Sequence, residues 1–336
     1  MRATRSIFSI TRQQQFQIWQ RGSLFLVDAM PIESSRIYQA LGSVQRSRRF
    51  RIASMLVPAL VVVGVLFVGG LLVAIGQSVG YFPLIGKRHL TSSHYGALFH
   101  DLEFRKSLAL TFILASASTL ISSAAGLALA LALRDMARHS RLLIALLQVP
   151  IGVPHLVMAV ALINVIAPSG LIARSVCAAG LIRTPLDFPV LVNDRYGSGI
   201  ILAYVLKETP FIALMVLGVL VRLGDEYHSM AQTLGASAWQ RWRYVTLPTV
   251  APALVSGALV VFAFVFGAFE IPYLLGRPYP AMLSVVAQRH FMNVDLTERP
   301  EAIAIAIVIA MIASLVAWIH MRLARTLTGV GRPTIF

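Results

Sequence analysis

Six stretches of this chain are long, apolar and almost free of charge, and they limit what it can fold into more than any other feature. A helix needs about 20 apolar residues to cross ~30 Å of hydrocarbon. Residues 52–76 and 107–133 carry no charge, and neither does the run from Leu142 to Ala173, which allows one helix over 142–167 and an interfacial tail. Residues 196–221 contain only Lys207 and Glu208, residues 251–276 only Glu270, and residues 302–320 complete the set. Ala302, Ala304 and Ala306 alternate with strand period, but the length of the apolar run overrides that signal. The expectation is an all-α polytopic membrane protein with six transmembrane helices. Composition agrees: 57% of residues are hydrophobic, 13% are charged and the mean hydropathy is +0.76, whereas a soluble domain is about a quarter charged. Cys177, the single cysteine, excludes an intrachain disulfide and a cysteine-built zinc site.

The formal charge of +15 comes from 29 Lys and Arg against 14 Asp and Glu. Its placement points to topology rather than to nucleic acid. With the N-terminus inside, the inner segments 1–51, 134–141, 222–250 and 321–336 hold 18 basic and 5 acidic residues, and the outer segments, counted with the adjoining Glu301, hold 10 and 7. Arg46, Arg48, Arg49 and Arg51, just before the first span, give the strongest topogenic signal. Both termini are therefore expected in the cytoplasm, with the basic surface on the anionic inner leaflet. Residues 1–51 read as a polar, basic cytoplasmic tail without a cleavable signal layout, and Met30 offers a second start site. Residues 52–325 form the membrane domain and 326–336 a short cytoplasmic tail. The outer loops 77–106, 168–195 and 277–300 are too short for a domain, and Gly170–Ile182 has the pattern of a helix lying on the membrane surface.

The most informative loop, 225–248, joins the fourth and fifth spans and reads as two short helices with a turn. Asp225 suits the start of the first, and Gly235 its end in a left-handed conformation. Ser237 and Gln240 have capping-box spacing for the second, and Pro248 breaks the chain before the next span. Such a unit acts as a lever with apolar and aromatic residues that need a docking partner. The plainer reading is a connecting loop packed on the membrane surface.

This loop resembles the signature of the integral-membrane permease subunits of bacterial type I, binding-protein-dependent ABC importers. That signature runs Glu-Ala-Ala, three residues, Gly, nine residues, a β-branched residue, one more, then Leu-Pro. Ala231, Gly235, Val245, Leu247 and Pro248 fall on its positions, and Ala236, Ser237 and Trp239 are similar to the residues that usually follow the Gly. Ser229 and Met230 stand where Glu and the first Ala are usual, and Glu226, one turn earlier, offers a carboxylate. The resemblance covers about residues 52–325. It implies a MetI-like permease fold in the bacterial inner membrane, a second permease copy or paralogue, a cytoplasmic ATPase dimer gripping the loop, and a periplasmic solute-binding protein. Two further segments, Tyr204–Phe211 and Phe266–Gly276, are similar to stretches of permeases for polyamines and related small solutes.

Charges within hydrocarbon normally face a bundle interior or a water-filled path. At ~1.5 Å per residue, Lys207 and Glu270 lie at similar depth in the outer half of the bilayer. Pro210 and Pro272 free backbone carbonyls nearby. Lys207, Glu208, Pro210, Glu270 and Pro272 therefore mark either a translocation path or a structural layer with a Lys207–Glu270 ion pair. Lys207 and Glu208, as neighbours on one helix, are expected to face different ways. His155 and Asn164 suit interhelical hydrogen bonds, and Ala124, Ala128 and Ala132 a close-packed stripe. No nucleotide-binding loop is present: Gly80 and Gly86-Lys87 are mis-spaced for one, and Arg88 stands where Ser or Thr should hold magnesium. ATP and its Mg are thus expected on a partner subunit, with no cofactor or metal held by this chain. An intramembrane hydrolase lacks its motifs, since Gly235–Trp239 has no final Gly for a nucleophile elbow. A secondary transporter or channel fits the spans but leaves the 226–248 lever unexplained.

Overall fold

The computed structural model describes residues 33–328 apart from 87, 92, 138, 139, 224 and 225, so the expectations for the first 32 residues, for Asp225 and for the end of the C-terminal tail lie outside it. The chain divides into two compact units, Met1–Leu72 and Val73–Phe336. In the first, α1 (Glu33–Ser78, ending just beyond the unit) is helical well before the expected start of the span, so the arginine cluster is carried on helix. Of α1, Ser54–Ser78 is long and apolar enough to cross a bilayer.

The second unit is wholly helical apart from turns and loops, with no β-strand among the described residues. Its order is α2 (Ser93–His100), α3 (Leu102–Ala137), α4 (Arg141–Gly152), α5 (His155–Ile166), α6 (Leu171–Ala178), α7 (Ser198–Leu223), α8 (Glu226–Thr233), α9 (Ala238–Arg241), α10 (Leu247–Gly267), α11 (Glu270–Leu275), α12 (Leu283–Phe291) and α13 (Arg299–Thr328). Six membrane-length spans result among the described residues, as the apolar stretches require. The third candidate span is His155–Ala178, which joins α5 to α6, instead of the expected 142–167; α4 is a shorter apolar helix set off from α5 at Val153-Pro154, and α11 follows the fifth span, Ala238–Gly267, after an extended Ala268. The stretch 170–182, expected to lie on the membrane surface, contains the helix α6, which continues the third candidate span beyond α5.

The core is built around α3 and α7, with α10 against both. Gly126 permits their approach: a Cβ there would stand 2.8 Å from Ile212 Cβ and 3.0 Å from the Thr209 carbonyl. The buried row on α3 is Ser118, Ser122, Gly126 and Ala130. The neighbouring stripe of Ala124, Ala128 and Ala132 is exposed, so close packing uses the row beside the expected one. Small side chains win at that contact because packing in hydrocarbon gains from short backbone separation. Tyr204, Ile212, Val216, Leu220, Val265, Phe266, Ile271 and Leu275 fill the interior.

Candidate functional site

The lever folds as its local sequence dictates. Gly235 has φ +79°, and the bonds Gly235 N→Gln232 O and Ala236 N→Ala231 O close α8 in a Schellman motif. Thus Ala231, Gly235 and Ala236 supply successive parts of one helix stop. No atom lies within 4 Å of a Cβ built on Gly235, so its requirement is conformational, not steric. Ser237 Oγ accepts from Gln240 N and Gln240 Oε1 from Ser237 N, the expected capping box. A π-helical turn, Trp242–Thr246, then leads into Leu247-Pro248, with Leu247 N bonding to Trp242 O. Trp239 and Trp242 stack with centroids 4.8 Å apart and stiffen the second arm.

Tyr227 and Met230 on α8, and Leu234 just past its end, recur at helical spacing, and all are exposed, Leu234 at 87%. Trp239 and Tyr244 are also exposed, as are Glu226, Ser229, Ser237 and Pro248, while Ala231, Ala236, Val245 and Leu247 are half-buried. Met230 therefore adds apolar surface to the lever where a small residue is usual. The uncovered aromatic and aliphatic side chains form a surface suited to a partner.

The polar layer lies elsewhere, around a cavity of about 190 Å³ lined by Ile151, His155, Lys207, Glu208, Phe211, Val260, Val261 and Phe264. Lys207 is only 4% exposed. Its Nζ donates to Pro150 O at 3.2 Å, to Ile151 O at 3.4 Å and to Val153 O, all at the break between α4 and α5. The alternative of a Lys207–Glu270 ion pair is not what forms: the ammonium is taken up by backbone carbonyls, and Glu270 is exposed at the start of α11. Glu208 Oε1 is 3.6 Å from His155 Nε2, and the His155 ring lies 4.6 Å from that of Phe264. Lys207 and Glu208 do diverge, but toward the two sides of the break, so both reach the same cavity. Asn164 bonds to Val160 O in its own helix rather than across helices, because an amide one turn along finds that carbonyl without needing a partner helix.

Pro210 lies inside α7, while Pro272 sits in α11. Pro272 has no N–H for the carbonyl of Ala268, four residues back, and Ser284 Oγ donates to that carbonyl at 2.6 Å. Thr111 Oγ1 accepts from Leu283 N at 2.8 Å and ties the start of α12 to α3. Sequence reasoning missed both bonds. Pro272 was a signal that a carbonyl needed a donor, but nothing local identified Ser284. Toward the other end of α11 a larger cavity of about 870 Å³ is lined by Phe269, Tyr273, Arg277, Gln288, Arg289 and neighbours.

Six candidate spans, helix breaks beside a polar layer and an ordered lever fit a membrane transport subunit. Residues 122–328 match the family of binding-protein-dependent transport system inner membrane components. The chain belongs to that family: it is a multi-pass inner-membrane permease subunit of a type I ABC importer. It is 27% identical over 256 residues to the molybdenum transport system permease protein ModB of Mycobacterium bovis, covering 76% of this chain and 89% of that one. It is 30% identical over 168 residues to the sulfate transport system permease protein CysT of Escherichia coli, covering 50% and 57%. Its fold matches a chain of a bacterial ABC transporter that imports the acidic polysaccharide alginate, with TM-score 0.68, 18% identity and coverage of 87% and 99%.

Proposed function

We propose that this subunit pairs with a second copy or a paralogue and carries a small amine-bearing, polyamine-like solute from a periplasmic binding protein into the cytoplasm. Two separate cytoplasmic ATPases, which bind ATP and Mg, grip the 225–248 lever at Glu226, Ser229, Met230, Ala231, Gly235, Ala236, Ser237, Val245, Leu247 and Pro248. Closure of the ATPases moves the levers together, the two bundles rock outward, and hydrolysis resets them. The observation that carries this reading is the stopped, capped and uncovered lever. The path runs past Lys207, Glu208, Pro210, Glu270 and Pro272. The amine reading is supported by the charges left for a solute: the Lys207 ammonium is bound to carbonyls, while the Glu208 carboxylate lines the cavity together with Phe211 and Phe264, and Glu270 is exposed at the start of α11.

The test is ATP-driven uptake into proteoliposomes containing the assembled complex, with labelled putrescine, molybdate and trehalose as probes. Putrescine uptake that collapses in Glu208→Gln is expected. Molybdate or trehalose uptake without putrescine would overturn the substrate class and leave the permease reading intact.

A further inference from the structure

The helix breaks between α4 and α5, where Pro154 stands, and the break strands specific carbonyls. In an unbroken helix the Pro150 carbonyl would accept from the N–H of residue 154, which proline lacks. Ile151 would bond to residue 155, which lies beyond the break. Carbonyls without donors are costly wherever water is excluded, and Pro150 and Val153 are half-buried. Lys207 Nζ meets Pro150, Ile151 and Val153 together, one acceptor for each ammonium proton, and it is buried. No proton is left for a solute.

The signs also match. The Lys207 cation sits at the C-terminal end of α4, where the helix dipole is negative. The Glu208 carboxylate sits beside His155, the first residue of α5, where the dipole is positive. Exchanging the two residues would oppose both helix ends. α7 carries this pair and ends at Leu223, shortly before α8 begins at Glu226, so the lever and the break are attached to one helix.

We infer that Lys207 is a positioning residue, a tethered cation that holds the end of α4 to α7 and so shapes the translocation path without touching the solute. This refines the proposed path, but the bracing itself is independent of which solute is carried. Lever motion delivered along α7 reaches the break through this ammonium.

Hydrogen exchange on the assembled complex tests it. In Lys207→Met, amides of residues 151–153 and 155–158 should exchange about tenfold faster or more, as expected when hydrogen bonds are lost. Lys207→Arg, which keeps donors at that position, should stay close to wild type. The maximal uptake rate, with putrescine or molybdate according to which the wild type carries, should fall in Lys207→Met and recover in Lys207→Arg, with half-saturation unchanged. Unaltered exchange in Lys207→Met, or accelerated exchange in Lys207→Arg, would overturn the inference. So would a Lys207→Met variant whose half-saturation rises while its maximal rate holds, because that is the mark of a solute ligand. Should Lys207→Met fail to insert, the exchange of Lys207→Arg decides. Absence of uptake in the wild type would count against the proposed function and leave the exchange result standing.

Discussion

Ser284 and Lys207 do similar work at two prolines. Each brings a side-chain donor from another helix to a carbonyl whose main-chain partner is missing. Ser284 and Pro272 form a double-mutant cycle. Ser284→Ala should leave the Ala268 carbonyl unpaired in the interior and cost about 1–3 kcal/mol. Ala268 is extended, with φ −70° and ψ 143°, and precedes the turn of α11, so an N–H at residue 272 would point back at its carbonyl. Pro272→Ala in the Ser284→Ala background should therefore recover part of the loss, a coupling that thermal unfolding of the four purified variants in detergent measures. Strict additivity of the two changes would show that the bond contributes nothing.

At the scale of elements, α3 and α7 meet at Gly126, and the contact leaves no space for a methyl group. Gly126→Ala should destabilise the bundle by about 1–3 kcal/mol through overpacking, read as a lower unfolding midpoint in detergent; an unchanged midpoint would show that the two helices adjust freely. The elements themselves were legible in unequal measure. The spans were plain because bilayer thickness imposes their length, and the lever because a Schellman stop and a capping box are made by residues within a few positions of one another. The two breaks were not. Pro150, Pro210 and Pro252 lie inside helices while Pro154 and Pro272 stand at interruptions, and an apolar sequence does not distinguish the two outcomes. The partner of Lys207 was equally hidden, since its acceptors lie more than fifty positions away and are backbone atoms that carry no sequence signal. The stripe of Ala124, Ala128 and Ala132 misled for a related reason: Gly126, flanked by Ser122 and Ala130, offered the same spacing and a closer approach.

For the whole molecule, the charge distribution places both termini in the cytoplasm, a proposal that one thiol can check. Cys177 lies at the end of α6 and is half-buried. A membrane-impermeant maleimide should label it in intact spheroplasts, and labelling only after lysis, with normal reaction of the denatured protein, would invert the topology. Ser229→Glu should preserve or strengthen ATPase association in pull-downs of the complex, and weaker association would remove Ser229 from the docking face. The central claim is that the 225–248 loop transmits motion between ATPase and membrane domain. Gly235→Val tests it most directly, because a β-branched residue at φ +79° costs about 1 kcal/mol or more while its Cβ meets no neighbouring atom. The measurement is ATP hydrolysis by the reconstituted complex with and without loaded binding protein. Gly235→Val should insert at wild-type level yet shed its ATPase or hydrolyse without response to the binding protein; full stimulation and full transport by this variant would show the loop to be only a connector.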